Sequence, residues 1–281
     1  MAKPAFVLLH GAWHSPRCWN RLLPLLEEAG SSVIAPQLPS SGSIIPPTPD
    51  WSKDVETIRE TVSQLVEHEE RHVVVVLHSF SGMTGGTALE GLDRQSRAAR
   101  GLKGGVIRLV YIVAFLVPEG FRHSAPGTRD NMIPEMKTDF EVSFPVEPYL
   151  FALLCSTDFT TNQAGIITVA DRDVKEMFYQ DVEDENVLAE LSQDLRPQSL
   201  ASFWSTTTHA AWRHIPTTYV LCTKDRPTTV VAARYLIETA KASPGGHKID
   251  SVIEVEAGHS PFISKPEWTA EMLLAEAARS V

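Results

Sequence analysis

In the run Val73-Val74-Val75-Val76-Leu77-His78-Ser79-Phe80-Ser81-Gly82, a serine stands between an aliphatic stretch and a series of small residues. A buried strand turning sharply into a helix would lift that hydroxyl above the sheet. The helix N-terminus behind it would favour developing negative charge. The positions two before and two after such a serine are held small by the tight backbone; Ser81 meets this and Leu77 stands at the other. Taken alone, Ser79 also reads as an ordinary N-cap on a helix after a buried strand.

Three other short segments bear on the same chemistry. His10-Gly11-Ala12-Trp13 follows an apolar stretch and would aim a backbone N–H at the carbonyl oxygen that the N–H after Ser79 also reaches. By itself it is equally a glycine turn beside a tryptophan anchor. Ala257-Gly258-His259-Ser260-Pro261 offers a histidine on a glycine turn, where a general base would descend on Ser79. Cys222-Thr223-Lys224-Asp225-Arg226-Pro227 supplies an acid before that histidine, although Asp225 also fits a loop aspartate paired with Lys224 or Arg226. Glu119 is a weaker substitute for the same acid. Each segment is weak alone. In the order Ser79, Asp225, His259 they make a nucleophile, acid and base set of strong specificity.

Those residues need a scaffold, and the hydrophobic pattern supplies one. Phe6–Leu9, Val33–Ala35, Val73–Leu77, Val106–Phe115, Thr217–Cys222 and Val252–Val255 read as strands. Helical stretches lie between them: one opens at Ser15-Pro16 and stops at Gly30, one carries Val55, Ile58, Val62, Leu65 and Val66 at helical spacing, and others start near Ser79, Thr228 and Pro266. Five prolines between Pro36 and Pro49 mark a loop. Strands alternating with helices predict an α/β fold with a mostly parallel sheet of about six strands, flanked by helices. Residues 116–213 break the alternation; they are 98 of 281 positions yet hold 11 of 22 aromatic residues and three of 16 glycines. They read as an inserted, mainly helical cap on a core of 1–115 and 214–281.

Composition narrows the class. Hydrophobic residues make up 43% and charged residues 21%, which excludes a disordered tail, a collagen-like fibre and a disulfide-dense mini-protein. The net charge of −10 argues against nucleic acid, and no aliphatic run is long enough to span a bilayer. No signal peptide is legible, and three widely spaced cysteines (Cys18, Cys155, Cys222) suit a reduced compartment, so a cytoplasmic location is expected. His68-Glu69-Glu70-Arg71-His72 spells a zinc pattern by its letters but falls at a solvated helix end, so no metal is expected. Gly82-Met83-Thr84-Gly85-Gly86 lacks the ending of a phosphate loop, and close helix–sheet packing explains it.

With these residues in view, the chain resembles the α/β-hydrolase fold superfamily, most of all the branch of plant methylesterases, hydroxynitrile lyases and related fungal proteins. The resemblance runs nearly full length and is weakest across 116–213. It implies Ser79 as nucleophile, His259 as base, Asp225 as acid, and the N–H groups of Ala12 and Phe80 as oxyanion hole. Leu77 departs from the first glycine of the elbow. Ser260 stands where the lyases of this branch carry a lysine, which argues against cyanohydrin cleavage.

The expected function is a cofactor-free serine hydrolase acting on a small, fairly apolar ester or lactone. A lyase, retro-Claisen or cyclisation step on a metabolite is the alternative within the same fold, and a ligand receptor using the same pocket is the third. Trp13 and His14 are candidate substrate contacts beside the oxyanion loop. Phe144, Phe203 and Trp204 either line an apolar pocket or form the cap's own small core. His78 reads as packing. The expected partner is a small-molecule substrate; a homodimer is compatible with the chain.

Overall fold

The computed structural model describes residues 3–42, 47–127, 159–161, 165–169 and 171–280. Six strands form one parallel sheet: β1 (Ala5–Leu9), β2 (Val33–Ile34), β3 (His72–His78), β4 (Gly105–Ile112), β8 (Thr217–Cys222) and β9 (Ile249–Val255). Their order across the sheet is β2-β1-β3-β4-β8-β9. β3 and β4 are covered on both faces, which is why Val73–Leu77 reads as an aliphatic run without alternation and why β4 stays buried throughout, Arg108 and Tyr111 included. At the sheet's edge, β9 alternates between covered and open positions.

Among the described residues the α-helices are α1 (Leu23–Glu28), α2 (Ser52–Ser63), α3 (Ser81–Ala88), α4 (Arg94–Ala99), α5 (Asp171–Phe178), α6 (Glu185–Asp194), α7 (Val230–Ala242), α8 (Pro261–Ser264) and α9 (Pro266–Ala278). Two apolar cores flank the sheet, one containing Val73, Val75 and Leu77, the other Val74 and Val76. Alternate residues of one strand feed opposite layers. Among the described residues no helix is long and apolar enough to cross a membrane.

Three local outcomes differ from the sequence reading. The stretch from Ser15 to Gly30 is split into a 3-10 turn (Pro16–Trp19), capped by the Ser15 side chain, and the short α1. β4 ends at Ile112, because Val113 turns to φ +42° and takes the chain out of the ladder before Phe115. Between β4 and β8 lies a second sheet of three antiparallel strands, β5 (Phe159–Thr161), β6 (Ile166–Val169) and β7 (Gln198–Ser199), alongside α5 and α6. Strands this short carry too little periodicity to be read from sequence.

The strand order sets the place of the site. From β1 the chain goes outward to β2 on one side and returns to β3 on the other, so β1 and β3 bound a topological switch point. The loops leaving the carboxyl ends of such strands diverge and open a crevice. His10–His14 leave β1 there and Ser79 leaves β3, while Asp225 and His259 follow β8 and β9 at the same end.

Candidate active site

Ser79 sits at φ +54°, a left-handed conformation that costs a non-glycine residue about 1–3 kcal/mol. The surroundings hold it there. Its N–H donates to the Ile112 carbonyl (3.2 Å), and its own carbonyl accepts from Gly82 N–H (3.1 Å) and Phe115 N–H (3.2 Å). Ser81 Oγ accepts from His78 N–H and reaches the Leu9 carbonyl, both at 2.9 Å, tying the elbow to the end of β1. A Cβ on Gly82 would lie 2.6 Å from the Phe115 carbonyl oxygen, so the first turn of α3 must carry a glycine there. Leu77 is accommodated from the opposite side: a Cβ on Gly85 would collide with its side chain. Ser79 is half-buried while His78 and Phe80 on either side are buried, which leaves the serine turned toward the crevice.

Asp225 and His259 meet in the interior. Both side chains are essentially inaccessible, and His259 Nδ1 lies 3.0 and 3.1 Å from the two Asp225 carboxylate oxygens. A carboxylate facing Nδ1 selects the tautomer with its proton there, which leaves Nε2 as an acceptor. Burial pushes the Asp225 carboxyl up from its ordinary value, while His259 pulls it back. The His259 backbone is fixed as well: its N–H donates to Gln180 Oε1 (2.9 Å), and its carbonyl accepts from His78 Nε2 (3.0 Å). The rings of His78 and His259 are 4.7 Å apart, so His259 lies against the residue that precedes Ser79. Ser79 Oγ makes no hydrogen bond among the described residues, and nucleophile–base links of this kind commonly close only with substrate bound.

The loop after β1 is stiffened by two buried histidines. His10 Nδ1–H donates to the Gly11 carbonyl (2.9 Å) and His14 Nδ1–H to the Ala12 carbonyl (2.8 Å). Burial lowers His10 to about 4 and His14 to about 3, so both are neutral at physiological pH. The Gly11 carbonyl belongs to the same peptide unit as the Ala12 N–H, so His10 sets the plane in which that N–H points. A Cβ on Gly11 would lie 3.0 Å from Ser79 Cβ, which shows how close this loop comes to the elbow. Neither Ala12 N–H nor Phe80 N–H has an acceptor among the described residues.

Trp13 (φ +61°) is clamped by the segment between β4 and β8: its N–H donates to Gln198 Oε1 (3.2 Å), its carbonyl accepts from Arg196 N–H (2.6 Å) and its indole N–H donates to the Ile167 carbonyl (3.2 Å). Its ring lies 5.8 Å from that of Phe203 and 5.9 Å from that of Phe178. Phe203 in turn meets Phe80 (4.9 Å) and His123 (5.0 Å), so an aromatic wall stands beside the elbow. Trp204 is half-buried in the same 3-10 turn as Phe203, and Phe144 lies outside the described residues. His14 is buried, with Nε2 accepting from the Tyr179 hydroxyl (3.1 Å), so it braces the loop more than it faces a ligand.

The other candidates resolve plainly. Glu119 pairs with Arg213 (3.0 Å) and accepts from Ala210 N–H (3.1 Å), while the carboxylate on His259 Nδ1 is that of Asp225. His68 ends the turn after α2 and His72 begins β3, so they share no helix face. Among the described residues no group of three or more His, Cys, Asp or Glu could hold a metal. The sequence reading missed Phe178, His123 and the pair Gln180–Asp181, whose local pattern is only that of a helix end or a loop. It also missed the hydrogen bond His78 adds to its packing.

The family model described as "Alpha/beta hydrolase family" matches residues 6–272. Over their full lengths, an alpha/beta hydrolase of Aspergillus novofumigatus, nvfD, is 28% identical, the alignment covering 100% of this chain and 99% of the relative. Methylesterase 2 of Arabidopsis thaliana is 26% identical, covering 97% of this chain and 95% of its own. The crystal structure of polyneuridine aldehyde esterase superposes with a TM-score of 0.70 over 98% of this chain and 99% of that one, at 21% identity, a likeness of fold.

Proposed function

The chain belongs to the alpha/beta hydrolase family, and from that premise we propose that it is a serine hydrolase cleaving a small, fairly apolar ester or lactone. One observation carries the reading: a buried carboxylate holds His259 Nδ1 from 3.0 Å, at the same sheet end where Ser79 is kept left-handed on a strand–helix junction. The esterase names of its relatives support the same reaction class.

In this mechanism His259 Nε2 takes the Ser79 proton as Oγ attacks the substrate carbonyl carbon. The imidazolium that forms is steadied by Asp225, which stays ionised. The carbonyl π-electrons move onto oxygen, and the N–H groups of Ala12 and Phe80 receive that oxyanion. Such a donor is worth about 2.7–4 kcal/mol of barrier in other acyl-transfer enzymes. Collapse expels the alkoxide, which His259 protonates, and water activated by the same base then frees the acid from Ser79. Trp13, Phe203 and Phe80 provide an apolar wall, which suits an uncharged acyl or alkyl group. The described part of the segment between β4 and β8 would act as a cap here, since Ile167, Arg196, Gln198, Phe178 and Phe203 all meet Trp13 beside the crevice.

The test is covalent. A fluorophosphonate should add one equivalent to Ser79 by intact mass and none to Ser79→Ala, and short p-nitrophenyl esters should be turned over by wild type but by neither Ser79→Ala nor His259→Ala. A protein that stays unlabelled, or labels elsewhere, overturns the assignment.

A further inference from the structure

Three consecutive residues just past α5, Tyr179-Gln180-Asp181, make polar contacts to both loops that the proposed chemistry needs. Tyr179 donates its hydroxyl to His14 Nε2 (3.1 Å), beside the Ala12 loop. Gln180 Oε1 accepts the N–H of His259 (2.9 Å), and Asp181 Oδ2 accepts the N–H of Gly258 (2.9 Å) and the Ser264 hydroxyl (2.7 Å). Glu176, in the last turn of α5, also pairs with Arg226, the residue after Asp225.

The Gln180 contact is built rather than incidental. Its amide nitrogen donates to the carbonyls of Glu176 (2.8 Å) and Met177 (3.0 Å), so the amide oxygen must face His259; a flipped amide would set donor against donor and acceptor against acceptor. The fit is close: a Cβ on Gly258 would run into Gln180 Oε1 and lie 2.8 Å from Asp181 Oδ1, so a side chain there would displace the very acceptors that hold this loop. Partly enclosed backbone N–H groups need acceptors, and those of Gly258 and His259 find theirs only across the fold, 77 and 79 residues away in sequence. With the His259 carbonyl held by His78 and its ring by Asp225, Gln180 supplies the remaining restraint on the base.

We propose that Gln180 is a positioning residue for His259, and that through it the inserted segment, not the sheet core alone, sets the base in register with Ser79. This rests on the triad reading above and deepens it. A base displaced by about 1 Å loses on the order of 100-fold in rate, so the effect belongs in kcat and not in substrate affinity.

Gln180→Met keeps the length and apolar stem while removing the acceptor. Fluorophosphonate stoichiometry counts competent sites in each variant, so partial misfolding is separated from slower chemistry. The expected result is a fall of roughly 10- to 100-fold in kcat per titrated site, with KM little changed and labelling of Ser79 slowed in parallel. Gln180→Glu, which keeps an acceptor for the His259 N–H but sets its second oxygen against the Glu176 and Met177 carbonyls, should recover only part of the loss, and its charge beside His259 should move the acid limb of the kcat/KM profile to higher pH. If kcat per titrated site in Gln180→Met equals wild type, or Gln180→Glu leaves the limb unmoved, the inference is wrong. His259→Ala runs alongside: if it retains turnover the triad itself fails, whereas its loss with an unaffected Gln180→Met condemns only the positioning role.

Discussion

Replacing Asp225 by asparagine keeps size and shape while removing one charge, and the geometry dictates the consequence. Both carboxylate oxygens lie within 3.1 Å of His259 Nδ1 in a site closed to solvent. If the new amide turns its NH2 toward Nδ1, the imidazole must carry its proton on Nε2, the nitrogen meant to accept from Ser79. If it turns its oxygen, the tautomer survives but the imidazolium loses its counter-charge. Unit charges about 4 Å apart at an effective dielectric near 20 attract by ~4 kcal/mol, which is about a thousandfold in rate. Adding the tautomer error brings the expected loss to about 10⁴-fold in kcat, the size of the corresponding Asp→Asn effect in a serine protease. The assay is steady-state turnover of a p-nitrophenyl ester with active-site titration, and KM should stay near wild type because Asp225 touches no substrate. A variant within tenfold of wild type would refute the reasoning, the more so if Glu119→Ala lost the activity instead.

Three further outcomes test the scaffold. Gly82→Ala forces a Cβ against the Phe115 backbone, whose N–H holds the Ser79 carbonyl; it should cost about 1–3 kcal/mol in a denaturant melt and lower turnover per folded molecule, and an unchanged kcat would contradict the elbow's packing. Arg108, buried in β4 toward the opposite end of the sheet, bonds both Asp250 oxygens (2.9 and 3.0 Å) and lies 3.2 Å from Glu276. Arg108→Met should destabilise by roughly 3 kcal/mol, because among the described residues Glu276 is left buried with Arg279 alone as its ion partner, yet leave kcat intact. Asp54 is buried against Ser40, and burial raises it from 3.8 to about 6. A raised carboxyl stabilises the fold below its unfolded value and loses that contribution as pH rises through about 6. Wild type should therefore lose on the order of 3 kcal/mol relative to Asp54→Asn between pH 4 and pH 7, and parallel unfolding curves across that range would contradict this.

The sheet was legible because its information is local. Thr217–Cys222 is read as a strand and is one, end to end, since an apolar β-branched run bounded by turn residues needs no distant context. The candidate triad was legible for a related reason: Ser79 directly follows β3, and Asp225 and His259 lie a few residues past the ends of β8 and β9, so recognising the strands locates the residues. Phe115 shows the limit. Nothing in Ile112-Val113-Ala114-Phe115 announces that Val113 leaves the ladder, because that bend exists to bring Phe115 N–H to the Ser79 carbonyl. The tolerance of Leu77 at the elbow was equally hidden, since it depends on Gly85 lacking a side chain a full helical turn into α3.

By itself, then, the sequence determined an alternating α/β chain with a serine, an acid and a histidine in one order at strand ends, because strand propensity, turn chemistry and chain order are properties of neighbouring residues. The tertiary structure alone decided how those residues are held. The Gln180 bond to His259 spans 79 residues, the Tyr179 bond to His14 spans 165, and the Gln198 bond to Trp13 spans 185. No local pattern encodes such contacts: a glutamine after a helix looks the same whether its amide faces water or the backbone of the base, and only the folded path of the chain distinguishes the two.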